Sequence, residues 1–507
     1  MFEEKSQAEY DPNSPSLGAT TSADEDKNSR HEIDPATQYL RDHPEWADYD
    51  HFEANKVRQK IDWRIMPLMV VTNTIGAVDK IIVSNAALYG MIEDTHLVGQ
   101  QYNWVVSIFY LGWLVAEYPA NAILQKFPVG KTVGITVFGW GAVVMCLGAA
   151  ENAAGLLVLR FLLGVLEAPS YPAFTIINTM WYKKAEQPLR MALALAGFAS
   201  LIAGGVSYGI GNLHTSIAPW KLLFLVMGAF QLLWGLVLYI WLPDSPLKDN
   251  FLSRKEKYIA LDRVRENMIG IENKELKWYQ VREAFTDYKT YLLVLFVLSI
   301  HVPTGGVVAF GAQIVSGLGF STLETMLLSI PTGVTLTLSS FMVAVPQLWF
   351  KNKRCLAMGL CCVVPIVCCT LLQHLPRENK VGRLMAYYFF YFFWGPYATA
   401  ISLPMGNVSG HTKKLTVNAS IFVAYCAANM IGPQVFFIRE APNYPTGYNT
   451  LLGFEVAAIC CITAYAVGCF MENRRRDRKE GTNVSVGADE QFGDLTDYEK
   501  RGFRYLY

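Results

Sequence analysis

The chain is 507 residues long, 52% hydrophobic and only 17% charged, with 43 basic side chains balancing 43 acidic ones. That apolar excess excludes a disordered chain, and zero net charge excludes a nucleic-acid binder, which needs a basic surplus. The composition leaves one question open, which is where so much apolar surface goes.

A bilayer core about 30 Å thick needs about 20 apolar residues of helix to cross it. Residues 1–35 are rich in Asp, Glu, Ser, Asn and Pro and read as a disordered tail, with the approach to the first span ending near 62. No apolar core lies in that tail, so no cleavable signal peptide is expected. Six apolar stretches follow, at 64–89, 103–124, 131–150, 154–176, 189–212 and 220–243. Residues 244–287 are polar. Within them Ser253-Arg-Lys-Glu256 has the pattern of a capping box and predicts a charged helix to about Asn267. Six more apolar stretches lie at 288–312, 322–347, 355–374, 382–405, 415–437 and 449–471. A mixed-charge tail, 473–507, closes the chain behind Arg474, Arg475, Arg476, Arg478 and Lys479.

Six spans, a hydrophilic interval and six more spans form an internal repeat visible in hydropathy. The expected fold is therefore an all-α membrane protein of twelve transmembrane helices in two six-helix bundles, 63–243 and 288–472. The ten cysteines lie in or beside apolar runs without the spacing of a zinc site, and read as packing residues. Neither a metal nor a cofactor is expected, and nothing in the chain calls for more than a monomer.

An even number of spans puts both termini on one side. That side's loops carry Lys126, Lys131, Lys183, Lys184, Arg190, Lys351, Lys353, Arg354, Lys413 and Lys414. The opposite loop 90–102 carries Glu93 and Asp94 and no Lys or Arg, whereas 374–383 runs against the bias with Arg377, Lys380 and Arg383. The distribution predicts cytosolic termini, with the plasma membrane as the default location and an internal membrane as the alternative.

A charge at mid-bilayer costs about 2.5–3.5 kcal/mol even on the lenient insertion scale, so each one asks for a reason. Span 1 holds Asp79 and Lys80, span 2 holds Glu117, span 4 holds Arg160 and Glu167, and span 7 holds His301, while span 12 begins near Glu455. Neighbours on a helix point about 100° apart, so Asp79 and Lys80 cannot pair face to face and each needs a partner on another span. Arg160 and Glu167 are two turns apart and share a face, which suits either helix locking or a site. His301 lies beside Pro303, Gly305 and Gly306, which predict an interrupted helix next to a cavity, and Asn429 with Gly432 and Pro433 predicts the same in span 11. The glycines of span 5 (Gly197, Gly204, Gly205, Gly209 and Gly211) read as close helix packing. Lys80 and Arg160 are candidate counter-charges for an anion, with His301 and Asn429 as further substrate contacts. Asp79, Glu167 and Glu117 are candidate proton carriers.

The run Arg160-Phe-Leu-Leu-Gly164-Val-Leu-Glu167-Ala168 resembles the fourth-span signature of the major facilitator superfamily. Further segments resemble its anion:cation symporter family, in the fungal allantoate permease branch. They include Asp79-Lys80 with Asn85-Ala86, Gln100-Gln-Tyr102, Glu117-Tyr-Pro119, Leu242-Pro-Asp-Ser-Pro246 and Asn429-Met-Ile-Gly-Pro-Gln434. The resemblance covers residues 55–472 and implies proton-coupled carriage of a small organic anion, such as an allantoate-like or vitamin-like carboxylate, by alternating access. One departure stands out. The superfamily's Gly-x-x-x-Asp-Arg-x-Gly-Arg/Lys loop survives here only as Gly130-Lys131, with Phe127 at the acidic position and Pro128 at the basic one. Export of a fungal metabolite is the alternative within the same class, and a non-transporting nutrient sensor is the alternative outside it. An enzyme is not expected: no His-Glu-x-x-His, Gly-x-Ser-x-Gly or phosphate loop is present.

Overall fold

The computed structural model describes residues 35–183, 186–194, 197–268, 276–349, 353–481 and 494–507. The tail expected to be disordered lies almost wholly outside the described residues. Among those described, every regular element is helical.

Helices occupy all twelve predicted stretches. In the first half they are His51–Ala86, Gln101–Lys126, Val129–Leu147, Ala153–Glu167 continued by Ser170–Trp181, Gln187–Ala194 continued by Phe198–Gly211, and Pro219–Trp241. In the second half they are Tyr288–Gly317, Thr322–Leu328 continued by Pro331–Ala344, Arg354–His374, Lys380–Phe390 continued by Trp394–Asn407, His411–Gln434, and Pro445–Glu480. Nine of these helical runs are long and apolar enough to cross a membrane by length and composition. The other three are span 2, which carries the polar residues Asn103, Glu117 and Asn121, and spans 5 and 10, each divided into two pieces. The linker helix also forms, as Arg254–Met268, behind the capping pair in which Ser253 N–H donates to Glu256 and Glu256 N–H donates to Ser253 Oγ.

The packing repeats with the hydropathy. Span 1 packs on 5, span 2 on 4 and span 3 on 6, and likewise span 7 packs on 11, span 8 on 10 and span 9 on 12. Between the two bundles the contacts are spans 1 with 7, 2 with 11 and 5 with 8, a set that maps onto itself when the halves are exchanged. Two six-helix bundles related in this way are parallel repeats, exchanged by an axis along the membrane normal.

Two expectations need correction. Pro303 does not break span 7, which runs as one helix from Tyr288 to Gly317, and span 11 runs through Pro433 to Gln434. Gly305, Gly306 and Gly432 are contact points instead. A Cβ on Gly432 would stand 2.5 Å from the Val302 carbonyl, and one on Gly305 would stand 2.9 Å from Asn429 Cα. Their missing side chains let spans 7 and 11 touch backbone to backbone. In span 5 the packing role holds where the bundles cross, since a Cβ on Gly197 would lie 2.2 Å from the Gly333 carbonyl of span 8. Gly205 and Gly209 instead face open space.

Hydrogen bonds that join spans 1 and 2 to spans 7 and 11 lie from mid-depth to the face away from the termini. Tyr102 OH donates to the Ala309 carbonyl at 2.6 Å, and Ser84 Oγ donates to Gln313 at 2.9 Å. Asn103 Nδ2 donates to the carbonyls of Pro433 and Phe436 at 2.7 and 2.8 Å, and Ser107 Oγ donates to the Met430 carbonyl at 2.9 Å. The last carbonyls of any helix lack an intrahelical donor, so span 2 supplies donors to the end of span 11. On the termini face each bundle is braced by its own flanking segment. The linker helix holds the N-terminal bundle through Glu256 with Lys60 (2.8 Å) and Arg263 with Glu186 (2.9 Å). The altered loop between spans 2 and 3 is held there too, where Asp244 accepts the Lys131 N–H at 3.2 Å.

Candidate functional site

Adjacent residues on span 1 face different neighbours, as their offset of about 100° demands. Asp79 turns into the N-terminal bundle, 1% exposed, where it accepts hydrogen bonds from Trp140 Nε1 of span 3 at 2.5 Å and Gln231 Nε2 of span 6 at 2.7 Å. Lys80 turns toward span 4 and pairs with Glu167 Oε1 at 2.6 Å, its ammonium also donating to the Gly76 carbonyl at 2.9 Å. The two side chains are 17% and 8% exposed, so this is a buried ion pair. Beneath the ammonium lie the rings of Phe109 and Trp113 of span 2, 4.8 and 5.2 Å from their centroids, close enough for cation–π attraction.

Arg160 sits two turns before Glu167 on the same face. Its Nε donates to the Val105 carbonyl of span 2 at 3.2 Å and its guanidinium lies 5.1 Å from the Phe109 centroid. Helix locking is therefore part of its role. Its Nη1, however, is buried with no partner among the described residues, and so is Glu167 Oε2.

His301 is fully buried on span 7. Its ring lies edge-on to Tyr397 at 3.9 Å and to Tyr425 at 4.7 Å, and neither of its nitrogens has a partner among the described residues. Tyr425 in turn meets Tyr110 and Trp113 at 6.1 and 6.0 Å. A continuous run of rings thus leads from Lys80 and Arg160 in one bundle, through Trp113 and Tyr425, to His301 in the other. An unpaired buried polar atom costs about 1–3 kcal/mol, and Arg160 Nη1, Glu167 Oε2, Trp113 Nε1 and both His301 nitrogens gather on this one aromatic cluster, which makes it the candidate site.

The remaining candidates are less central. Asn429 lies one turn beyond Tyr425 but folds back onto its own helix, Nδ2 donating to the Tyr425 carbonyl at 2.8 Å. Glu117 lies one turn beyond Trp113, half-buried, with Oε2 unpartnered. Sequence reasoning named no aromatic residue of the site. The usable signal was the i, i+4 spacing of Phe109 and Trp113 on a span that also carries polar residues. It also left Glu455 aside. That side chain is 0% exposed, and neither carboxylate oxygen has a partner among the described residues. No cluster of three or more His, Cys, Asp or Glu among the described residues can hold a metal ion.

Comparison with known proteins agrees with this architecture. The family model described as Major Facilitator Superfamily matches residues 68–433. An uncharacterized transporter of Schizosaccharomyces pombe is 38% identical, covering 90% of this chain and 88% of that protein. The allantoate permease of Saccharomyces cerevisiae is 32% identical over 89% of this chain and 86% of its own. Among solved structures, the xylose transporter XylE from E. coli, in a partially occluded inward open conformation, superposes with a TM-score of 0.57 at 13% identity over 81% of this chain and 97% of that one. At that identity the likeness speaks for the fold alone. The chain is a transporter and not an enzyme, and it belongs to the major facilitator superfamily, in the branch that includes the fungal allantoate permease.

Proposed function

We propose that this transporter carries a small organic anion, a carboxylate, together with protons, by rocking its bundles 63–243 and 288–472 about the Lys80 site. The observation that carries the reading is the buried Lys80–Glu167 pair, set between the unpaired Nη1 of Arg160 and a run of rings that reaches the opposite bundle. An anion entering a dry site needs a counter-charge. Lys80 is that charge, and Glu167 already holds it. A substrate carboxylate that takes Lys80 displaces Glu167, whose uncompensated charge is then neutralised by a proton. Arg160 offers its free donor to the same carboxylate, and His301 contacts the far end of the substrate across Trp113 and Tyr425. Closing both bundles on the substrate brings His301 toward Lys80, and opening either end releases anion and proton to that side.

The energetics favour such coupling. Carrying one negative charge inward against 100 mV costs about 2.3 kcal/mol, and one co-transported proton cancels that electrical cost. The basic bias of the termini-side loops supports cytosolic termini, and the plasma membrane is the default location. The relative named allantoate permease supports a carboxylate as cargo.

The test compares metabolites inside and outside cells with and without the protein, then follows uptake of the metabolite so identified. Lys80→Ala and Arg160→Ala, delivered normally to the membrane, are expected to lose accumulation. Glu167→Gln is expected to bind the anion but to lose the accompanying proton movement. Normal accumulation by both cation variants would overturn the reading.

A further inference from the structure

Residues 494–507 return to the termini face of the C-terminal bundle and are built into it. Thr496 and Asp497 are 0% exposed and Tyr505 is 1% exposed. Asp497 Oδ1 accepts from Lys413 Nζ at 2.6 Å, and its Oδ2 accepts from Tyr505 OH at 2.6 Å. Lys413 is itself fully buried at the start of span 11, where it also meets Glu283 at 2.8 Å and Asp287 at 3.5 Å. Arg476 of span 12 donates from Nη1 to the Asp497 carbonyl at 2.9 Å and from Nη2 to Tyr505 OH at 3.1 Å.

The segment's backbone is held as firmly as its side chains. Asn407, at the end of span 10, donates to the Leu506 carbonyl at 2.7 Å and accepts from the Leu506 N–H at 2.6 Å. Asn473 of span 12 makes the same reciprocal pair with Tyr505, both bonds at 2.8 Å. The Arg354 N–H, opening span 9, donates to the Tyr507 carbonyl at 3.1 Å. At the other end of the segment Asp494 accepts the His411 N–H at 2.6 Å and pairs with Lys277 at 2.8 Å.

A loose end does not bury a carboxylate and a phenol against a buried lysine. Hydrogen bonds to charged groups are stronger than those between neutral ones, and removing the acid would take from Lys413 the shortest of its three carboxylate contacts. The ends that the segment gathers belong to spans 9, 10, 11 and 12, and Lys289 of span 7 joins them, its ammonium 4.5 Å from the Tyr505 ring centroid. Spans 7 and 11 carry His301 and Tyr425. The N-terminal bundle has its own brace in the linker helix, and the bonds described for each brace stay on its own bundle.

We infer that residues 494–507 are an intramolecular clasp that locks the termini-side ends of spans 7, 9, 10, 11 and 12 into one rigid body, in a docking site that also accepts the same segment as a free peptide. This goes beyond the proposed cargo, and its test needs no substrate. Hydrogen–deuterium exchange is compared between the purified full chain and a chain ending at 493. Amides in 285–292 and 405–415 are expected to exchange about tenfold faster in the shortened chain, with 51–65 and 254–264 unchanged, and a synthetic 494–507 peptide is expected to restore protection saturably. Should the shortened chain fail to fold, full-length Asp497→Asn is expected to show the same regional loss at smaller size. Unchanged exchange in 285–292 and 405–415, or a loss spread equally over both bundles, would overturn the inference.

Discussion

Removing the charge of Lys80 while leaving Glu167 in place strands a carboxylate between spans 1 and 4. At 2.6 Å the pair's Coulomb attraction is about 6 kcal/mol at an effective dielectric near 20, most of it offset by the solvation both groups have given up. Breaking such a pair from one side typically costs about 3–5 kcal/mol, because the survivor keeps its burial and loses its partner. Lys80→Met also forfeits the contacts with Phe109 and Trp113 as a cation while keeping most of the apolar stem. The expected loss for Lys80→Met alone is therefore about 3–5 kcal/mol. Glu167→Gln alone is expected to cost less, since a neutral amide can still accept from the ammonium.

The double variant Lys80→Met/Glu167→Gln removes both charges together, leaving no stranded ion. Its expected cost is about 1–2 kcal/mol, so the two changes are strongly non-additive, with a coupling of about 2–4 kcal/mol. Thermal unfolding of the purified protein in one detergent, run on all four members of the cycle, measures this. Additive losses would show that the pair is not an energetic unit and would remove the basis for displacement of Glu167 by a substrate carboxylate. A double variant as damaged as Lys80→Met alone would refute the reasoning equally, since it would locate the cost in packing.

Three further outcomes are expected. Asn103→Ala with Ser107→Ala removes three donations to the end of span 11, about 1 kcal/mol each net, and should shift the bundles toward opening on the face away from the termini by about tenfold or more; labelling of Ala309→Cys by a membrane-impermeant maleimide from that face reads the shift, and an unchanged rate would refute it. Glu455→Gln replaces a buried carboxyl that has no partner among the described residues by its neutral isostere, so the unfolding temperature should stay level or rise, whereas a fall of many degrees would refute this. Burial alone would raise the Asp494 carboxyl, but Lys277 and the His411 N–H outweigh it and hold the group below the usual carboxylate range. A lowered folded value adds stability above the unfolded value of about 3.9 and loses it as pH falls further. Binding of a labelled 494–507 peptide to the chain ending at 493 should thus be flat down to about pH 4.5 and weaken below it, less steeply when the peptide carries Asp494→Asn.

The division between what the sequence could and could not convey follows the physics of each feature. Span number and order were legible because apolar length is a local property and a bilayer reads it locally. The repeat was legible for the same reason, and the packing of spans 1 with 5 and 7 with 11 reproduces it in three dimensions. The breaks expected at Pro303 and Pro433 were misjudged because proline and glycine carry two meanings in a membrane helix. Either they free backbone groups or they let another helix approach, and only the position of Asn429 against Gly305 decides for the second.

Asp79 and Lys80 show the same limit in sharper form. Their adjacency on a helix dictated that they face different neighbours, but nothing local says which one faces the other bundle. In the structure Asp79 bonds to Trp140 and Gln231 and so touches spans 3 and 6, and Lys80 pairs with Glu167 beside the rings. On the proposed function, a substrate carboxylate at Lys80 meets a cation already balanced by an acid on span 4, and span 1 keeps its place in the bundle through Asp79 while that balance changes. Exchange of partners at Lys80 without loosening span 1 is what a carrier needs if the N-terminal bundle is to rock as one body.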